Sequence, residues 1–222
     1  MLSTPTRDPG NHRVLSLIDR LVEPADQALK TLFGGRQASR PYPAEGIAET
    51  VDQPANRQEV AALMRINHAG EVAAQALYQG QALVAGNLST REALLEAGRE
   101  EADHLAWCSK RISELGGRTS LLDPLWYAGS FAIGAIAGLT GDRISLGFVV
   151  ETERQVVEHL NDHLGQLPHD DMRTRAIIHQ MSADEERHGH NATQAGAAEL
   201  SGVTRTLMKL TAKIMTRTAR WL

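Results

Sequence analysis

Four stretches of this chain, each about 20 to 30 residues long, repeat their apolar residues at helical spacing, and each carries a glutamate in the middle of its apolar face. The stretches run from Arg57 to Ala85, from Ser89 to the Gly116-Gly117 pair, from Ile144 to Leu164, and from Asp171 to Leu200. Ser89 and Glu92 have the spacing of a capping box at the start of the second. No segment sustains the two-residue alternation of a strand, and aromatic residues are only 4% of the chain, so no sheet is expected. Four helices of this length predict an all-α four-helix bundle.

The charged positions inside those apolar faces are specific. Residues seven apart on a helix lie nearly above one another. Glu71 shares its row with Met64 and Tyr78, Glu101 with Leu94 and Cys108, Glu153 with Leu146 and Leu160, and Glu185 with Ile178 and Ala192. His104 and His188 each follow a row glutamate by three residues, so each pair projects to one side of its helix. The order is Glu, Glu-x-x-His, Glu, Glu-x-x-His, with gaps of 30 residues from Glu71 to Glu101 and 32 from Glu153 to Glu185. Such a gap is a helix, a turn and half the next helix back. The chain therefore reads as two similar helix pairs whose ligands meet at one level.

A single Glu-x-x-His carries little weight, because chance produces such pairs. The added single glutamate on each preceding helix, at matched distance, carries the argument. Four carboxylates balance the four positive charges of two ferrous ions, so a filled site is near neutral and can sit in a bundle core. Oxygen-rich ligation with one imidazole per metal suits iron or manganese better than zinc or copper. The candidate ligands are Glu71, Glu101, His104, Glu153, Glu185 and His188.

The rest of the chain divides around this bundle. Residues 1–10 read as a loose tail, residues 14–33 as a helix stopped by Gly34-Gly35, and residues 36–54 as a proline-containing linker. Residues 1–56 thus precede a bundle unit of 57–222. The sole cysteine, Cys108, excludes an intrachain disulfide framework and reads as a core packer. It and the absence of an apolar leader in the first residues place the protein in the cytoplasm. The net charge of −4 argues against nucleic acid as a partner.

Residues 124–141 are 18 consecutive uncharged positions, diluted by Gly129, Gly134, Gly138 and Gly141. That is too short and glycine-rich for a spanning helix and too apolar for a solvated loop. An apolar helical hairpin over 124–150, lying shallowly in lipid, fits; a buried helix or a subunit interface is the alternative. A last helix, 204–222, sets Arg205, Lys209, Lys213 and Arg217 four residues apart, with Met208, Leu210, Ile214, Met215 and Trp221 as apolar surface. It suits an anionic lipid surface or is a solvated charged face.

The segments LMRINHAGEVAAQALYQGQ (63–81), EEADHL (100–105), VVETERQVVEHLNDHL (149–164) and DEERHGHNA (184–192) resemble the demethoxyubiquinone hydroxylase family over about residues 57–222. The resemblance implies a ferritin-like bundle with a carboxylate-bridged centre of two iron ions, its ligands on the same six residues. It implies O2-dependent hydroxylation of a polyprenyl methoxy-methyl-benzoquinol in ubiquinone biosynthesis, with an external reductant such as NADH. No glycine-rich fingerprint for a nucleotide is present. The implied setting is peripheral, on the cytoplasmic face of the cell membrane, with other proteins of ubiquinone biosynthesis and a second copy of the chain as candidate partners. One departure is Leu160, where several relatives have Tyr. His68, His159 and His190 lie in the matching motifs, either as hydrogen-bond partners of ligands or as helix-flank residues; His12, His163, His169 and His179 read as surface. Two rivals stand: a soluble ferritin-like ferroxidase or iron store, and a metal-free membrane adaptor. Stability is expected to depend on metal, since clustered carboxylates repel one another without it.

Overall fold

The computed structural model describes residues 17–34 and 38–222, without the side chains of 17–21, 23 and 24. The tail 1–10, His12 and the stop at Gly35 lie outside the described residues. Seven helices occur among those described: α1 (Leu17–Phe33), α2 (Pro54–Val84), α3 (Leu88–Glu114), α4 (Asp123–Leu139), α5 (Asp142–Gln166), α6 (Met172–Gln194) and α7 (Gly202–Ala219). No strand is present among them.

The bundle is α2, α3, α5 and α6, the four stretches that carry the candidate ligands. Its direction follows from pairwise contacts. The Gln81 amide donates to the Ser145 carbonyl at one end of α2, and the Tyr78 hydroxyl donates to Glu153 at mid-height. Leu63 and Met64 share a core cluster with Leu160 at the other end, so α2 and α5 run antiparallel. Every row residue flanking a row glutamate (Met64, Tyr78, Leu94, Cys108, Leu146, Leu160, Ile178 and Ala192) is buried. The apolar faces therefore close over the acids, as the heptad spacing requires.

The structure corrects three sequence expectations, two of them at helix ends. The α3 cap is Asn87, whose side chain accepts from the Thr90 backbone N–H, rather than a Ser89–Glu92 box. Helix α6 stops at Gln194 and does not continue to Leu200. Gly196 takes φ 94°, and the Ala197 N–H returns to the Ala192 carbonyl, a left-handed cap that terminates the helix. The released chain then donates from Ala198 N–H to the Arg143 carbonyl on α5.

The third correction concerns 124–150. Residues 142–150 are the opening turns of bundle helix α5 rather than part of a separate hairpin, and α4 packs one face along α2. The glycines explain the approach. A Cβ on Gly134 would lie 2.1 Å from the Leu77 carbonyl oxygen, and one on Gly80 would lie 2.2 Å from that of Phe131. Gly134-x-x-x-Gly138 is thus a backbone-to-backbone packing face, matched by Gly80 on α2. The other face of α4 leaves Leu125, Ile136 and Leu139 exposed. No helix among the described residues is long and apolar enough to cross a membrane.

Residues 38–53 carry no helix, yet they are strapped to the bundle. Ala44 and Val51 are buried in the main core cluster. Fully buried Arg111 of α3 binds Glu49 of the strap, Glu114 and Asp171.

Candidate metal centre

At mid-height the four bundle helices bring six ligand-type side chains into one buried cluster. Glu71 comes from α2, Glu101 and His104 from α3, Glu153 from α5, and Glu185 and His188 from α6. All six are buried; the most exposed, His188, reaches only 6% relative exposure. They form two groups of four, Glu71–Glu101–His104–Glu185 and Glu101–Glu153–Glu185–His188. Within each group, one ligand atom per residue lies within 4.8 Å of the others. Glu101 and Glu185 belong to both groups, so they stand where bridging carboxylates between two ions would stand. Each group has one terminal glutamate and one imidazole.

The two histidines are oriented alike. His104 turns Nδ1 inward, 3.0 Å from Glu101 and 3.1 Å from Glu185. His188 turns Nδ1 inward, 3.1 Å from Glu185 and 3.3 Å from Glu101. Their Nε2 atoms face outward onto a second tier of acids: His104 donates to Asp184 at 3.0 Å and His188 to Glu100 at 3.1 Å. The tiers cross between helices. Asp184 precedes the ligand glutamate of α6 yet holds the histidine of α3; Glu100 precedes that of α3 yet holds the histidine of α6.

Cations balance the outer tier. Arg40, from the strap, reaches Asp103 at 2.8 Å and Asp184 at 2.7 Å, and its guanidinium lies 4.7 Å from the Trp107 ring centre. Arg187 binds Asp184 at 2.7 Å and also pairs with Glu100. The Tyr78 hydroxyl donates to Oε1 of Glu153, while Oε2 of Glu153 has no hydrogen-bond partner.

The electrostatics follow from four buried acids around two bases. Burial pushes the Glu71 and Glu153 carboxyls well above the usual range, helped by the neighbouring glutamates. Burial also opposes charge on Glu101, but His104 and His188 beside it hold its carboxyl far below the usual range. The imidazoles respond in kind. Against burial, Glu101 and Glu185 raise His104 well above an ordinary histidine and push His188 up to about 11. Protons on the bases and on two acids therefore relieve the repulsion that clustered carboxylates would otherwise suffer.

The donor set fits two hard divalent ions. Carboxylates outnumber imidazoles two to one, and the two carboxylates common to both groups could be shared by two ions. Each imidazole has its outer nitrogen fixed by an acid, the arrangement that aims the inner nitrogen at a metal.

Glu71 has a second neighbourhood. It lines an apolar cavity of about 380 Å³ bounded by α2, α4, α5 and α7, whose walls include Leu77, Trp126, Phe148, Leu160 and Met208. The cavity thus leads from the carboxylate cluster to the face where α4 and α7 meet solvent.

The sequence reasoning located all six side chains that the fold brings together, and it missed their outer partners. Asp184 and Glu100 had a signal, an acid immediately before each Glu-x-x-His. Arg40 had none, because it arrives from the strap. The remaining histidines separate cleanly. His68 is buried against Asp123, with Nδ1 3.3 Å from Oδ2. His159 lines the cavity, and His190, His169 and His179 are exposed. His163, expected at the surface, is buried with its ring centre 3.9 Å from that of His159. Burial pushes its imidazole down to about 3. Cys108 packs in the core beside Met181.

Comparison with known proteins gives the family. The model of the family described as "Ubiquinone biosynthesis protein COQ7" matches residues 58–219. A protein of Nitrosomonas europaea named 3-demethoxyubiquinol 3-hydroxylase is 52% identical over 204 residues, covering 92% of this chain and 98% of the relative. Proteins of the same name from Ralstonia pickettii and Legionella pneumophila are 52% and 50% identical, covering 91% and 95% of this chain and 99% and 100% of their own lengths. With a bundle of the expected topology and a match spanning nearly the whole chain, this protein belongs to the ubiquinone biosynthesis COQ7 family.

Proposed function

We propose that this chain is a 3-demethoxyubiquinol 3-hydroxylase, an O2-dependent monooxygenase acting on a polyprenyl methoxy-methyl-benzoquinol. The observation that carries the reading is the double position of Glu71, which is both a member of the buried ligand cluster and a wall of the apolar cavity. A ring in that cavity would lie against the cluster while its apolar tail runs toward the α4–α7 face.

Two ferrous ions held by Glu71, Glu101, His104, Glu153, Glu185 and His188 would supply the reducing power that activates O2, with an external reductant such as NADH restoring them. The protein's own residues do the rest. Asp184 and Glu100 hold the two imidazoles with their inner nitrogens toward the ions. Tyr78 fixes Glu153, and the apolar walls exclude water from the reacting ring. A ferroxidase or iron store on the same ligands leaves an apolar cavity of this size beside the cluster without a purpose.

The tail implies a bilayer. Exposed Ile133 and Leu207 line the cavity, and Ile136, Leu139, Leu210 and Ile214 continue the apolar surface along α4 and α7. Lys213 and Arg217 add positive charge along α7. These features support peripheral attachment to the cytoplasmic face of the cell membrane. Because α4 packs on α2, deleting it would damage the bundle. Charge-bearing substitutions at Ile136 and Leu139 are the cleaner test, and they should abolish flotation with anionic liposomes while leaving the fold intact.

The decisive experiment is lipid analysis of a strain lacking its own hydroxylase. Wild-type protein should convert accumulated demethoxyubiquinol, and the Glu185→Ala variant should not. Accumulation uncured by the wild type, or cured equally by Glu185→Ala, overturns the proposal.

A further inference from the structure

Three buried polar atoms without hydrogen-bond partners belong to residues lining the apolar cavity: one on Asn67, one on Trp126, and Nε2 of His159, whose ring packs against His163. Asn67 lines it at 2% relative exposure, and Oδ1 of its side chain has no hydrogen-bond partner in the protein. Its Nδ2 meets only the Met64 sulfur at 3.7 Å, a weak acceptor. Trp126, on α4, also lines the cavity, and its buried indole N–H is likewise without a partner. Buried polar groups are nearly always paired, and an unpaired one costs stability. Three in one apolar cavity point to something that the cavity receives.

Their placement relative to the cluster is informative. Asn67 is one helical turn before Glu71 on α2, on the side of the cluster away from Tyr78. Trp126 packs with Ile66 and Ala69, so it stands at the same level of α2. At the level shared by Asn67 and Trp126, the unpaired atoms are one acceptor and one donor. A hydrocarbon tail offers neither complement; an oxygenated aromatic ring offers both.

We propose that Asn67 is a specificity-determining residue that selects the reduced ring, its Oδ1 accepting a hydrogen bond from a quinol hydroxyl while Trp126 Nε1–H donates to another ring oxygen. This rests on the reading of the chain as a quinol hydroxylase and adds a redox preference to it. The oxidised quinone carries carbonyls that cannot donate, so it leaves Asn67 Oδ1 buried and unpaired. Sites built to hydrogen-bond a substrate hydroxyl reject analogues lacking it for this reason. The device confines binding to the form whose electron-rich ring can be hydroxylated.

The test uses full-length, iron-loaded protein under anaerobic conditions, with tryptophan quenching as the binding readout. The probes are short-tailed 3-demethoxyubiquinol, its quinone and its di-O-methyl ether. Wild type should bind the quinol about tenfold or more tighter than the other two. Asn67→Leu should bind quinol and quinone alike, and in separate turnover assays with O2 its KM should be raised and its kcat much less affected. Its melting temperature should be no lower than the wild type's, because an unpaired group has been removed; a purely structural asparagine would lower it. The ether tests the same hydroxyl from the ligand side should the variant not fold. An unchanged quinol preference in Asn67→Leu, or an ether bound as tightly as the quinol by wild type, overturns the inference. If wild type turns over the quinol in that case, the hydroxylase reading survives. A wild type that neither binds nor turns over the quinol overturns both.

Discussion

Nε2 of His104 on α3 lies 3.0 Å from Oδ2 of Asp184 on α6, one residue before the ligand-type Glu185. The same crossing recurs between His188 and Glu100, one residue before Glu101, at 3.1 Å. Each imidazole is therefore aimed by the helix that carries the other Glu-x-x-His. Burial opposes charge on Asp184, but His104, Arg187 and Arg40 hold its carboxyl far below the usual range. Asp184→Asn should lower iron affinity about 10- to 100-fold, the usual cost of losing an outer partner of a metal-bound histidine. Competition with a chelator of known affinity measures it, and an unchanged affinity refutes the assignment. Glu100→Gln should cost less, because Glu100 is partly open to solvent.

Iron loading should release protons. Without metal, neighbouring acids overcome the effect of burial and push His188 up to about 11, so it is protonated at neutral pH. Coordination needs the free Nδ1 lone pair, so binding must expel that proton. Ferrous titrations at pH 7 in buffers of different ionisation enthalpy should report at least one proton released, with affinity falling as pH drops. The stability of the metal-free protein follows the sign of this shift. The His188 contribution is fully present below 6.5, the unfolded value, and is lost as pH rises through about 11. Bound iron should raise the melting temperature, most clearly at alkaline pH.

The α2–α4 contact predicts a sharp contrast between two glycines. A side chain on Gly134 would meet the Leu77 backbone at 2.1 Å, whereas nothing lies within 4 Å of a Cβ on Gly129. Gly134→Val should cost about 3 kcal/mol or more, at the upper end for overpacking. Gly129→Ala should stabilise α4 by roughly 0.5–1 kcal/mol. Denaturant melts of the two variants check both signs.

The strap should loosen in acid. Hydrogen bonding to Arg111 holds the Glu49 carboxyl down to about 2, outweighing its partial burial. That stabilisation is present above pH 4.5, the unfolded value, and is lost as pH falls toward 2. Proteolysis between residues 38 and 53 should therefore accelerate below pH 4.5, and Glu49→Gln should show the acceleration already at pH 7. Arg111→Ala should cost about 3–5 kcal/mol, since it strands Asp171 in the core.

The sequence by itself determined the bundle and its ligand set, because both depend on local periodicity. A glutamate seven residues from Met64 and seven from Tyr78 must share their face, and a histidine three residues after a glutamate must share its side. Those relations hold on any helix, whatever it packs against. The tertiary structure alone decided everything that depends on register between helices. It set Asp184 against His104, brought Arg40 from the strap to the outer acids, and buried His163 beside His159. It also turned 124–139 from a stretch readable as lipid-bound into a helix seated on α2 through Gly134 and Gly80. Hydropathy records how apolar a segment is, not which surface will cover it. Only the closeness of two backbones, which glycine permits and sequence spacing does not express, settled that one face of α4 belongs to the protein.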